Sequence, residues 1–274
     1  MKVSFDHTRL AGALERLVGE AARAILHIYG EDDFQVSHKD DESPLTAADL
    51  ASHRLLTDGL RELTPELPVL SEENASRITT AERRAWQRYW LVDPLDGTKE
   101  FIKRNGEFTI NVALVEFGRP VFGIVHVPVT GTTYLGAAGR GATRQVGDRD
   151  PLGLHVAGAV RDRPVRIVGS RSHAGGELEG FAAELGKHEF LAVGSSLKFC
   201  LVAEGGADVY LRLKPTSEWD TAAGQAVLEA AGGSVTDLAG HPLRYNARDT
   251  LINPGFIASG DLSRDYLTAA RNAA

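Results

Sequence analysis

The chain has 274 residues, 43% hydrophobic and 24% charged, with 30 Lys and Arg against 37 Asp and Glu for a formal charge of −7. That apolar fraction excludes a disordered chain, the acidic surplus argues against a nucleic-acid polymer as partner, and no run approaches the roughly 20 apolar residues of a transmembrane helix. A single cysteine, Cys200, fits a reducing compartment, and Met1 to His7 does not read as a secretory signal.

Leu10, Leu14, Leu17, Ala21, Ile25 and Ile28 recur at helical spacing between Thr8 and Tyr29, and Gly30 ends the run. After a polar loop from Glu31 to Glu42, a second helix is predicted from Thr46 to Leu63, ahead of Pro65. The period then changes. Val69-Leu70 reads as a short strand, and Tyr89–Val92 as a buried strand that delivers Asp93 to its end. Phe108–Phe117 and Val121–Val127 form a hairpin around Gly118-Arg119-Pro120, and Thr132–Ala137 adds a third strand. Gly136-Ala137-Ala138-Gly139-Arg140-Gly141 follows a hairpin and opens no βαβ unit, so it reads as a turn and not as a dinucleotide fingerprint.

From Val165 strands and helices alternate: strand Val165–Val168, helix Glu177–Leu185, strand Phe190–Val193, helix Ser196–Glu204, strand Val209–Leu213, helix Asp220–Ala231 and strand Ser234–Thr236. No element is assigned beyond Thr236. The fold class is therefore α/β, with an α+β N-terminal half. A soft boundary falls between Asp150 and Asp162, dividing the chain into 1–155 and 156–274.

The strongest chemical signal is Asp93-Pro94-Leu95-Asp96-Gly97-Thr98. Pro94 fixes the backbone as it leaves the strand, and Gly97 permits a tight turn. Two carboxylates three residues apart in such a turn can converge on a hard cation, with the Leu95 carbonyl as a neutral ligand; Mg²⁺ takes such oxygens at about 2.1 Å. A solvated acidic turn explains the same residues. Val69-Leu70-Ser71-Glu72-Glu73 reads either as a strand ending in acids or as Ser71 capping a helix. Thr46-x-x-Asp49 is a near capping box, and Asp220 could simply cap the helix it opens. Ser170-Arg171-Ser172-His173, Gly194-Ser195-Ser196-Leu197-Lys198 and Arg212 all fall at strand ends, the ligand edge of an α/β sheet. Cys200 reads as a small buried hydrophobe. His27, His53 and His241 have no zinc-type spacing.

Taken in order, these segments resemble the inositol monophosphatase superfamily of Mg²⁺-dependent, lithium-sensitive phosphatases. D-P-L-D-G-T and the later Trp219-Asp220-Thr221-Ala222-Ala223-Gly224 form its paired signature. Within it, Ser43 to Asp49, Val69 to Glu73, the run from Tyr89 through Lys99-Glu100-Phe101-Ile102-Lys103-Arg104-Asn105-Gly106-Glu107-Phe108-Thr109, and Gly194 to Gly205 resemble the bacterial 3′(2′),5′-bisphosphate nucleotidase branch. The resemblance spans nearly the whole chain.

It implies a layered αβαβα sugar-phosphatase fold and hydrolysis of adenosine 3′,5′-bisphosphate to AMP and phosphate, clearing a sulfur-assimilation by-product. Segment 1–155 would then bind metal and catalyse, while 156–274 would complete the metal site and bind the nucleotide. Glu72, Asp93, the Leu95 carbonyl, Asp96 and Asp220 would hold two Mg²⁺ ions, with a third present in some relatives, and Li⁺ would inhibit. Glu72 and Asp93 would share the first ion; Asp93, Asp96 and Asp220 would hold the second. Catalysis would rest on Glu72 and on Thr98 oriented by Asp49. Gly97, Thr98, Ser195, Lys198 and Asp220, with His173 and Arg212, would contact substrate. The setting implied is the cytoplasm, with peripheral association with the inner membrane left open, as is the oligomeric state. Inositol monophosphatase or fructose-1,6-bisphosphatase activity is the alternative chemistry, and a catalytically silent Mg²⁺/nucleotide-binding regulator is the alternative of another class.

Overall fold

The computed structural model describes residues 7–31, 37–38, 44–159, 163–170 and 176–273. Chain order begins with α1 (His7–Tyr29), the small strands β1 (Ser37–His38) and β2 (Pro44–Leu45), α2 (Ala47–Leu63) and β3 (Val69–Ser71). A 3-10 turn, Glu72–Arg77, precedes α3 (Thr80–Arg84), β4 (Arg88–Asp96) and α4 (Thr98–Ile102). Then come β5 (Thr109–Glu116), β6 (Arg119–Val127), β7 (Thr132–Ala137), β8 (Gly141–Val146), β9 (Leu152–Leu154), β10 (Val165–Gly169), α5 (Gly176–Leu185) and β11 (His188–Ala192). The remainder is α6 (Leu197–Ala203), β12 (Val209–Arg212), β13 (Thr216–Ser217), a 3-10 turn Glu218–Asp220, α7 (Ala222–Ala230), β14 (Ser234–Asp237), β15 (Ile252–Asn253), β16 (Phe256–Ser259) and α8 (Tyr266–Ala273).

Strand periodicity builds the layers. Along β4, Trp90 and Val92 turn to one face and Tyr89 and Leu91 to the other. The first face packs with Leu14, Ala21 and Ile25 of α1 and Leu56 and Leu60 of α2. The second meets Phe199 and Val202 of α6 and Ala223, Val227 and Leu228 of α7. Beyond those helices lies a second sheet. It turns Val168, Tyr210, Phe256 and Ala258 inward and Ile167, Val209, Leu211 and Ile257 outward against Phe181 of α5 and Ala270 of α8. The result is the five-layer αβαβα arrangement.

The first sheet runs β3-β4-β5-β6-β7-β8-β9, antiparallel except for β3 beside β4. The second runs β11-β10-β12-β16-β14, with β11, β10 and β12 parallel and β16 and β14 antiparallel to their neighbours. Strand and helix go on alternating through α7 to β14, as expected, but parallel pairing stops at β12. The late strand β16 pairs with both β12 and β14, and α8 closes the outer face; neither was expected from the sequence. The turn read at Gly139 is the β7–β8 hairpin, but β8 and β9 were not expected.

One close approach fixes the spacing of the layers. A Cβ on Gly136 of β7 would lie 2.5 Å from Val227 Cα, and one on Gly123 of β6 would lie 2.5 Å from the Ala223 carbonyl. The backbone of α7 thus rests directly on the sheet. Gly136→Ala is expected to cost about 2 kcal/mol through overpacking and lower Tm by roughly 5 °C; thermal denaturation showing no loss would refute the contact.

Candidate active site

The acids converge because β4 ends in a rigid turn. Asp93 is buried on β4, and its Oδ1 accepts the Leu95 amide at 3.1 Å. Ser52 of α2 donates to the Pro94 carbonyl at 2.8 Å and pins the turn. Gly97 has φ of +95° and opens α4; a side chain there would crowd the Glu107 carbonyl and Phe108, so the turn needs glycine. Carboxylate oxygens of Asp93, Asp96 and Asp220 lie within 4.8 Å of one another. Glu72 is not part of this triad. It starts the 3-10 turn after β3, the parallel neighbour of β4, and its charge reaches Asp93.

Asp220 does not open α7, as the sequence suggested. It ends the preceding 3-10 turn, where its carboxylate accepts the Ser217 amide at 2.9 Å and the Thr216 hydroxyl, so it caps that turn instead. Both readings of the acids after Val69-Leu70 coexist: β3 ends at Ser71, and a 3-10 helix begins at Glu72 with Asn74 Oδ1 accepting the Ser71 amide at 2.8 Å.

Electrostatics mark the cluster as built for cations. Burial pushes the Asp93 carboxyl well above its usual range, and the Glu72, Asp96 and Asp220 charges add to the shift. Burial, then Asp96, raises Asp220 to about 6, against opposing hydrogen bonds from Thr216 and Ser217 and the charge of Arg212. Buried carboxylates that raise one another's pKa favour a bound counter-charge. An all-oxygen donor set with a backbone carbonyl nearby fits a hard divalent cation.

Thr98 sits beside this cluster. Its hydroxyl is 3.3 Å from Asp49 Oδ1 and 3.4 Å from the Leu95 carbonyl. Asp49 Oδ2 is taken by the Thr46 amide at 2.7 Å and the Thr46 hydroxyl at 2.6 Å. The capping box at α2 is real, and it leaves Asp49 Oδ1 facing Thr98.

A cavity of about 120 Å³ joins these groups to the second sheet; Asp96, Gly97, Ser195, Lys198, Arg212 and Asp220 all line it. Lys198 is buried, with Nζ 2.5 Å from the Ser195 carbonyl and 5.4 Å from the Tyr210 ring centroid. Burial lowers its pKa. Arg212 donates to the Lys214 and Pro215 carbonyls, both at 3.1 Å. His173 lies outside the described residues.

Sequence reasoning missed Ser196, Asn111 and Glu100. Ser196 bonds to Asp96 through both its amide, at 2.5 Å, and its hydroxyl, at 2.7 Å. That hydroxyl also lies 2.7 Å from the Asp220 carbonyl and accepts from Asn111 Nδ2 at 2.8 Å. Glu100 lines the cavity and faces Lys198 electrostatically. The only local signal for Ser196 was its place beside Ser195 after a strand.

The comparisons agree with this geometry. The model of the inositol monophosphatase family matches residues 6–272. The 3′(2′),5′-bisphosphate nucleotidase CysQ of Escherichia coli (strain K12) is 51% identical over 246 residues, covering 89% of this chain and 97% of that one. The CysQ nucleotidase of Haemophilus influenzae is 40% identical over 242 residues, 88% of this chain and 89% of its own. The crystal structure of CysQ from Bacteroides thetaiotaomicron superposes with a TM-score of 0.81 at 43% identity, covering 95% of this chain and 99% of that one. Among the described residues no helix is long and apolar enough to cross a membrane. A five-layer fold with its acid cluster at the end of β4, matched by a family model over nearly the whole length, makes the chain a member of the inositol monophosphatase family.

Proposed function

We propose that this chain is a Mg²⁺-dependent phosphatase that removes the 3′-phosphate of adenosine 3′,5′-bisphosphate to give AMP and phosphate, in the cytoplasm, with inhibition by Li⁺. The observation that carries the reading is one cavity lined by Asp96, Asp220, Lys198 and Arg212, with buried Asp93 clustered with the two acids, in a chain about half identical to a curated bisphosphate nucleotidase.

Glu72, Asp93, the Leu95 carbonyl, Asp96 and Asp220 are the groups that would hold the cations. Bound there, divalent cations supply Lewis-acid stabilisation of a phosphoryl transition state and activation of a water nucleophile. Phosphate monoesters resist hydrolysis so strongly that catalysis must supply about 20 kcal/mol or more. The chain's own part is positioning and charge. Thr98 presents its hydroxyl toward the reacting centre. Asp49 Oδ1 is the acceptor for the Thr98 proton, because Thr46 already occupies Oδ2. Gly97 keeps the turn open to a phosphoryl group. Lys198, Ser195 and Arg212 form a second anion pocket, which a bisphosphate fills and a monophosphate leaves empty.

The test is a substrate panel with and without Mg²⁺. Phosphate release from adenosine 3′,5′-bisphosphate is expected to exceed that from inositol 1-phosphate by about 100-fold, the worth of one or two charge-assisted hydrogen bonds. Chelation should abolish it, and millimolar Li⁺ should inhibit it. Equal or reversed rates would overturn the substrate assignment.

A further inference from the structure

The acid cluster is assembled from two stretches far apart in sequence, Asp93 and Asp96 at the end of β4 and Asp220 in the turn before α7. Ser196, at the start of α6 and 2% exposed, is hydrogen-bonded to both. Three donors approach Asp96 Oδ2: the Ser196 amide at 2.5 Å, the Ser196 hydroxyl at 2.7 Å and Asn111 Nδ2 at 3.4 Å. One oxygen of the carboxylate is thereby saturated.

The hydroxyl's own geometry is constrained. Asn111 Nδ2 donates to Ser196 Oγ at 2.8 Å, and the Asn111 amide is oriented by Thr109, which donates to its Oδ1 at 3.2 Å. With that lone pair occupied, the single hydroxyl proton has two acceptors at equal distance, Asp96 Oδ2 and the Asp220 carbonyl, both at 2.7 Å. The hydroxyl therefore bridges the two, whichever holds its proton, while the Ser196 amide stays on Asp96 Oδ2.

We infer that Ser196 is a positioning residue for the cation site: it occupies Asp96 Oδ2 so that Oδ1 faces the cation, and it ties the Asp220 backbone to Asp96. This rests on the proposed cation-holding role of Asp93, Asp96 and Asp220. Hydrogen-bond partners behind metal ligands are typically worth 10–100-fold in metal affinity.

The experiment titrates Mn²⁺ into the metal-free full chain and follows free Mn²⁺ by electron paramagnetic resonance. Ser196→Ala keeps the backbone amide bond to Asp96 and removes the hydroxyl; it is expected to bind Mn²⁺ about 10–100-fold more weakly. The Mg²⁺ concentration for half-maximal phosphate release should rise by the same factor, while kcat at saturating Mg²⁺ and KM for the nucleotide stay within about threefold. A merely structural role would lower Tm without moving the Mg²⁺ midpoint. If Ser196→Ala does not fold, Ser196→Cys, which keeps the shape with a weaker donor, is read in the same titration. A folded variant with parental Mn²⁺ affinity overturns the inference alone. A parent chain that binds no Mn²⁺, or an Asp96→Asn chain that binds it as tightly as the parent, overturns the cation reading and the inference with it.

Discussion

Replacing Asp96 by Asn is expected to lower phosphate release from adenosine 3′,5′-bisphosphate by at least about 10³-fold, some 4 kcal/mol of transition-state stabilisation. The reason is acceptor arithmetic. The carboxylate serves two sides at once: Oδ2 takes the Ser196 amide and hydroxyl, which leaves the other oxygen for the Asp93 and Asp220 side. An amide has one acceptor oxygen. Leaving the buried Ser196 amide unpaired costs about 1–3 kcal/mol, so the Asn oxygen stays with Ser196 and its NH₂ turns toward the cation site. The fold should survive, because a charge that helps hold the Asp93 carboxyl far above its usual range has been removed. Phosphate release and thermal denaturation of the metal-free variant check both halves. A folded Asp96→Asn chain with parental turnover would leave the acids without a role in catalysis, and a parent without turnover would favour the silent regulator.

The second large effect couples pH to metal. Asp220 in the folded chain titrates at about 6, above the ordinary 3.8, so between those values the folded chain binds more protons than the unfolded one. Its contribution is favourable below about 3.8 and is lost as pH rises through about 6. At full ionisation the cost is about 3 kcal/mol, less the screening from water in the open cavity. Asp93, also raised, acts in the same direction. A divalent cation replaces the missing protons, so Mg²⁺ should raise Tm more at about pH 8 than at about pH 5, by roughly 5–10 °C. His126, lowered to about 4 by burial, works with the opposite sign, and Glu218, raised to about 7 by burial, works with the same one. Reading the Mg²⁺-induced shift at each pH separates the cation's effect from theirs. An equal shift at both pH values would mean that the cation does not compete with protons at these acids.

What was legible from sequence follows from how local the signals are. The element at Asp93 was plain because strand, proline, acid and glycine all lie within one turn of chain. Helix α1 was plain because its apolar stripe runs for six turns. Asp220 was located, but its local role was misread, because an acid before an Ala-rich run looks like a helix cap whether it caps forward or backward. Ser196 was hidden by Ser195. The latter adopts φ of +47°, a conformation signalled in sequence by glycine or asparagine and seldom by serine. That local twist turns the second serine, not the first, onto Asp96 and Asp220. Strand β16 is four residues between two glycines, and only its neighbours β12 and β14, distant in sequence, make it a strand.

The bare patch at Gly123 and Gly136 bears on the chemistry, although the cavity lies elsewhere. Helix α7 begins two residues after Asp220, at Ala222, and lies backbone-to-backbone against the first sheet, the sheet that carries Asp93. No compressible side chain separates the two mounts at those points. The distance between the acids is therefore set as by a machined face, with the tolerance of a main-chain contact and not of a rotamer. A single added methyl group there acts as a shim, and its thickness is passed along the helix to the position of a carboxylate that must meet its partners within one ion's reach.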